Sequence, residues 1–234
     1  MEKFKLPDHK LLKNKPISNQ IYMYIRELII NNKATPGTAL SENDLASHFN
    51  VSRQPVREAL TRLSHDELIE IIPQRGTFVS KISVPDLHGI CFARSSIECN
   101  AIYESLRLDH AEFSKIVKKL QNNLIKQKEL LHDNMMYIHF LKLDDEFHKL
   151  ICSFSGNDFA WNMLQNVRAN LDRIRFFSLK HISNPEDLIS IHEELLQYIE
   201  NKEYFAACAL LKSHVYEITH TYKRILEENR EWFY

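Results

Sequence analysis

Apolar residues at Ile21, Tyr24, Ile25, Leu28 and Ile29 recur at i, i+3 and i+4, which predicts one amphipathic helix of about three turns. Pro36-Gly37 breaks the chain. Ser41-Glu42-Asn43-Asp44 then has the form of a capping box, followed by Leu45, Ala46 and Phe49 on one face. Asn50 suits the left-handed residue that ends such a helix. Ser52 is placed to cap the next one, whose inward stripe is Val56, Ala59, Leu60 and Leu63. Two short helices joined by Asn50-Val51 make a helix-turn-helix. The β-prone runs Leu68–Ile72 and Thr77–Ser80 flank Pro73-Gln74-Arg75-Gly76, a hairpin with a basic tip. Beyond residue 85 the pattern is helical throughout. Its periodicity predicts helices over Asp86–Leu108, His110–Leu131, Asn134–Phe154, Asp158–His181, Pro185–Asn201 and Glu203–Glu228.

Composition sharpens this division. Six of the seven prolines fall in the first 85 residues, and the four glycines stand alone at positions 37, 76, 89 and 156. No phosphate-cradling or dinucleotide-binding glycine loop can be written from them. The expected organisation is a frayed tail (1–16), a small mixed domain (17–80), a linker (81–85) and an all-helical domain (86–234). Lys and Arg number 30 against 31 Asp and Glu, so the chain as a whole is no polycation. No apolar run reaches the ~18 residues of a membrane span. Met1–Asp8 lacks the apolar stretch of a signal peptide, and Cys91, Cys99, Cys152 and Cys208 contain no CxxC pair. The expectation is a cytoplasmic protein with reduced thiols.

Candidate chemistry lies in two places. Arg53 and Arg57 stand at i, i+4 opposite the apolar stripe, a like-charge pair that costs an isolated helix ~0.2–0.5 kcal/mol unless an anion meets it. Gln54 beside them suits adenine edges and arginine suits guanine, so this helix is a candidate for the DNA major groove. In the helical domain, Asp144 and His148 stack one turn apart on the face that Phe147 and Ile151 mark as inward. His192 and His214 are 22 residues apart, with the break at Asn201-Lys202-Glu203 midway between them. If the flanking helices fold back antiparallel, each histidine lies ~16 Å from the turn and the two can face each other. Spacing alone leaves these four residues between satisfied core side chains and a ligand set for Zn²⁺, Mn²⁺ or Ni²⁺. Arg94, on an expected inward face, needs an anion; this is either Glu98 at i+4 or a ligand from outside. Arg173 and Arg175 are weaker candidates for the same cavity.

The runs Pro36-Gly37-Thr38-Ala39-Leu40-Ser41-Glu42-Asn43-Asp44-Leu45-Ala46, Val51-Ser52-Arg53-Gln54-Pro55-Val56-Arg57-Glu58-Ala59-Leu60 and Arg75-Gly76-Thr77-Phe78-Val79 resemble the winged-helix domain of GntR-family transcriptional regulators. Asp144-Asp145-Glu146-Phe147-His148, Ser155-Gly156-Asn157, Ile191-His192-Glu193-Glu194-Leu195-Leu196 and the segment around His214 resemble the FCD domain of the FadR-type subfamily. The resemblance implies a mainly α fold, a winged helix-turn-helix followed by an all-α bundle. It implies DNA contacts from Asn43, Ser52, Arg53, Gln54 and Arg57, with Arg75 and Gly76 at the wing tip. The family usually has Arg where this chain has Asn43, which can still donate to phosphate but lacks the charge. It further implies a divalent metal (Zn, Ni or Mn) on Asp144, His148, His192 and His214, and a small carboxylate effector met by Arg94. The full ligand set argues against an acyl-CoA effector. The expected activity is effector-responsive regulation, as a repressor acting as a homodimer on a pseudo-palindromic double-stranded operator. The rival is a helical metalloenzyme carrying a DNA-binding module.

Overall fold

The computed structural model describes residues 4–132 and 136–234. Three helices open the chain: α1 (Ile17–Ile30), α2 (Glu42–Phe49) and α3 (Arg53–His65). Ser41 Oγ accepts from Asp44 N at 3.2 Å, which satisfies one of the free amides at the start of α2. Asn50 ends α2 in left-handed backbone, φ 52° and ψ 51°. Strands β1 (Ile69–Ile72) and β2 (Gly76–Val79) pair antiparallel, with Ile69 opposite Val79 and Ile72 opposite Gly76. Gln74 (φ 62°) and Gly76 (φ 118°) give the hairpin its tip, and Ala39 bridges Phe78 beside it. Ile21, Ile25, Ile29, Leu45, Val56, Leu63 and Leu68 form the core of this unit. Phe4, Leu6 and Leu11, from the segment expected to fray, pack against that core.

Among the described residues, seven α-helices follow: α4 (Val84–Glu104), α5 (His110–Glu129), α6 (Met136–Cys152), α7 (Phe159–Val167), α8 (Ala169–His181), α9 (Pro185–Glu200) and α10 (Tyr204–Glu228). Ser83 caps α4 and Asn184 caps α9, each with a proline in the first turn, where its missing N–H costs nothing. The expected start of a helix at Asn134 lies outside the described residues. The single helix expected over 158–181 is two. Arg168 breaks it with φ −90° and ψ −1°. Its guanidinium is drawn to Asp145, and the next residue, Ala169, is buried in the core of the winged helix rather than in the bundle. Helical periodicity cannot reveal a break that tertiary contacts impose on helix-forming residues.

Besides Ala169, polar contacts among the described residues hold the two units together. Arg26 of α1 pairs with Asp172 of α8 at 3.3 Å. Asn32 Nδ2 donates to the Arg173 carbonyl, and Arg173 Nη1 donates to the Ser80 carbonyl at 2.9 Å. The connecting segment is pinned from the far end of the chain. Ile82, fully buried, donates its N–H to the Trp232 carbonyl at 2.8 Å and accepts from Tyr234 N.

Candidate metal centre and nucleic-acid interface

Asp144 and His148 sit one turn apart on α6, and the buried Phe147 and Ile151 turn that face inward. α9 and α10 fold back on each other and bring His192 Nε2 to 3.3 Å from His214 Nε2, as the midpoint argument requires. One ligating atom from each of Asp144, His148, His192 and His214 lies within 4.8 Å of all the others. Asp144 Oδ1 is 3.5 Å from His192 Nε2, and Asp144 Oδ2 is 3.9 Å from His148 Nε2. Phe147 stacks on the His192 ring at 4.4 Å and fixes its plane.

The outer contacts decide which ring nitrogens face inward. His148 Nδ1 lies 2.6 Å from Glu98 Oε2, and His192 Nδ1 lies 3.0 Å from Gln127 Oε1. Gln127 Nε2 donates to Asn123 Oδ1 at 2.7 Å, which leaves Oε1 as the acceptor for His192. With both Nδ1–H groups so engaged, the Nε2 lone pairs of His148 and His192 point into the tetrad, the arrangement that orients histidine for metal ligation. His148 Nε2 is buried and has no hydrogen-bond partner among the described residues. Electrostatics agree. Burial pushes His192 down to about 3 and lowers His214 well below its ordinary value, so both rings are held neutral. Burial opposes the Asp144 charge, but the cationic side chains beside it, Arg175 foremost and Arg94 with it, outweigh burial and hold the carboxyl well below the usual range. One carboxylate and three imidazoles are an O/N donor set that suits Zn²⁺, Mn²⁺ or Ni²⁺, and the residues present fit such an ion.

Glu98 answers both partners at once. It accepts from Arg94 Nε at 2.7 Å, the i+4 pairing open from the sequence, and also takes His148. Arg94 is not spent by this contact. Its Nη2 lies 4.0 Å from Asp144 Oδ2, makes no hydrogen bond among the described residues, and Arg94 borders a cavity of about 60 Å³ with Arg175, Ser178, His214 and Thr221. Arg175 is therefore in this cavity, bound to Asp144, Asp145 and Asp172. Arg173 is not; it turns to the Ser80 carbonyl at the domain junction. Asn123 and Gln127 escaped the sequence reading. Their only signal is amide side chains at i, i+4 within the apolar stripe of α5 beside Leu120 and Leu124.

On α3, Arg53, Gln54 and Arg57 are exposed, as are Asn43, Ser52, Arg75 and Gly76. The like-charge pair is not waiting for an outside anion. Glu42 of α2 bridges it, accepting from Arg53 Nε at 2.6 Å and from Arg57 Nη2 at 3.1 Å. The contact with Arg53 lowers the Glu42 carboxyl. Spacing along α3 could not show a counter-charge from the preceding helix. Ser52 occupies the N-cap position but its side chain makes no capping bond, contrary to the cap expected there.

The family described as bacterial regulatory proteins of the gntR family matches residues 17–79, and the FCD domain matches residues 90–217. The chain is 34% identical over 218 residues to the HTH-type transcriptional repressor RspR of Escherichia coli (strain K12), covering 93% of this chain and 94% of that one. It is 26% identical over 226 residues to the HTH-type transcriptional regulator YdhC of Bacillus subtilis (strain 168), covering 97% and 100%. Among solved structures, E. coli McbR/YncC superposes with a TM-score of 0.68 at 20% identity, over 89% of this chain and 98% of that one.

Proposed function

Because the chain belongs to the GntR family of transcriptional regulators and carries an FCD domain, we propose that it is a metal-dependent, effector-responsive repressor acting as a homodimer on a pseudo-palindromic operator. The observation that carries this is the buried tetrad of Asp144, His148, His192 and His214, standing in the same chain as an exposed arginine pair on a recognition helix. Arg53, Gln54 and Arg57 read the major groove, with Ser52 and Asn43 on flanking phosphates and Arg75-Gly76 of the wing in the minor groove. The tetrad holds one divalent ion, which when bound supplies a Lewis-acidic position for an oxygen ligand. Arg94, whose Nη2 makes no hydrogen bond among the described residues, pairs with a small carboxylate in the adjoining cavity. The repressor assignment follows the named relative from E. coli. Among the described residues, no helix is long and apolar enough to cross a membrane.

The relatives compared are named as transcriptional regulators, which favours this function over a metalloenzyme with a DNA-binding module. The test is selection of duplexes from a random DNA pool with the full-length protein. The expected product is an inverted repeat bound by two chains, with half-sites separated in keeping with the helical repeat. Recovery of no enriched sequence, together with turnover of a small acid by the metal-loaded protein, would reverse the assignment.

A further inference from the structure

Helix α8 touches both the tetrad and the winged helix, and it does so through charge. Asp144, a tetrad member, accepts at Oδ2 from Arg175 Nη2. Arg175 Nη1 holds Asp145 Oδ1 and Asp172 Oδ1, each at 2.9 Å. Asp172 Oδ2 in turn takes Arg26 Nη2 of α1 at 3.3 Å, and Arg168 closes the network onto Asp145. Signs alternate from a ligand atom, through Arg175 and Asp172, to the helix against which α3 packs. Asp144, Asp172 and Arg175 have side chains 10% exposed or less, so a change of charge at one is poorly screened at the next.

The junction that this chain of ion pairs crosses also holds a buried charge with unfilled donors. Arg173, 1% exposed, donates only from Nη1, to the Ser80 carbonyl and Asn170 Oδ1. Its Nε and Nη2 have no hydrogen-bond partner, and no carboxylate pairs with it, among the described residues. A buried guanidinium without a counter-ion opposes closure, which the Arg26–Asp172 pair on the same face must offset.

We propose that the relay Asp144–Arg175–Asp172–Arg26 couples occupancy of the tetrad to the placement of the winged helix, with Arg175, Asp172 and Arg26 as positioning residues. The inference rests on the metal and DNA binding proposed above. Asp144 cannot turn its full charge to a cation among the histidines while Arg175 holds Oδ2. When Asp144 does turn, Arg175 is left with Asp145 and Asp172 and draws more strongly on Asp172. The hold of Asp172 on Arg26 then weakens, and α1 moves with respect to α8, carrying α3. Arg175 also borders the cavity beside Arg94, so a carboxylate bound there acts on the same residue.

The test uses the full-length protein, Arg26→Gln and Arg26→Lys, with Zn²⁺ alone as the probe. Arg26 lies in neither the tetrad nor the recognition helix. Calorimetry gives Zn²⁺ affinity, and fluorescence anisotropy gives affinity for the selected duplex with and without Zn²⁺. In the wild type Zn²⁺ shifts duplex affinity by about 5-fold or more. In Arg26→Gln the Zn²⁺ affinity stays within about 2-fold of wild type while its effect on DNA falls below about 2-fold, and Arg26→Lys regains it. Hydrogen exchange in α1 changes on Zn²⁺ addition in the wild type and in Arg26→Lys, and not in Arg26→Gln. An Arg26→Gln protein that keeps the full Zn²⁺ effect on DNA overturns the relay. So does a wild type that binds Zn²⁺ without any change in DNA affinity. A wild type that binds no Zn²⁺ removes the metal premise itself, and the calorimetric arm tells the two failures apart.

Discussion

At the scale of single residues, Glu42 changes how the recognition helix is understood. Two arginines at i, i+4 would repel on an isolated helix, and the sequence along α3 offers them no counter-charge. The fold supplies one from α2, at 2.6 Å from Arg53 and 3.1 Å from Arg57. This carboxylate holds the guanidinium groups as a pair, and on the proposed DNA contact it would compete with phosphate for them. Arg53→Ala or Arg57→Ala is expected to cost ~1–3 kcal/mol on the selected duplex and to flatten the log–log salt dependence by roughly one unit per lost phosphate contact. Glu42→Gln should do the opposite on random-sequence DNA, raising affinity and steepening the salt dependence, as measured by anisotropy between 50 and 200 mM salt, the range over which such electrostatic contacts weaken by about 10³–10⁵ for 6–10 phosphates. Unchanged affinity and slope in all three variants would take this helix face out of the interface.

At the scale of elements, legibility followed periodicity. The helices of the winged unit, the hairpin and the inward Asp144/His148 face could be read because apolar spacing marks which side of an element is buried. The His192/His214 pairing was legible because a break midway between two histidines sets their level in an antiparallel pair. Two features were not. The break at Arg168 arises from ion pairs with Asp145 and from Ala169 entering the other domain's core, neither of which leaves a local breaker in the sequence. The support from α5 is silent as well, because Gln127 orients His192 without being a ligand and obeys no ligand spacing. Gln127→Ala is expected to weaken metal binding ~10–100-fold, as loss of an outer-shell partner does. His148→Ala and His214→Ala should abolish stoichiometric retention, because the shell cannot close. His139→Ala and His220→Ala, outside the tetrad, should retain about one ion per chain, on the expectation that four ligands make one site. Elemental analysis of the desalted proteins decides; equal metal content in all of them would return the four residues to ordinary core packing.

At the scale of the molecule, two domains share one junction, and α8 belongs to both. Ala169 sits in the core of the winged helix while Arg175, six residues on, reaches the tetrad. The connecting segment is short and its Ile82 is paired with the C-terminal residues, so a shift at the junction is not absorbed by slack chain. On the proposed relay, an effector that met Arg94 and the metal would be felt at α1. Calorimetry with a panel of small carboxylates should find a ligand that loses affinity in both Arg94→Ala and metal-stripped protein; equal binding to all three forms would place the effector elsewhere. The central claim is that occupancy of the helical domain sets DNA affinity. The most direct measurement is an anisotropy titration of the selected duplex with metal-free full-length protein, repeated with one equivalent of Zn²⁺, for the wild type and His214→Ala. The expected result is a shift of about 5-fold or more in the wild type and none in His214→Ala, the range typical of coupled sites. Superimposable wild-type curves, with Zn²⁺ shown to be bound, would contradict it.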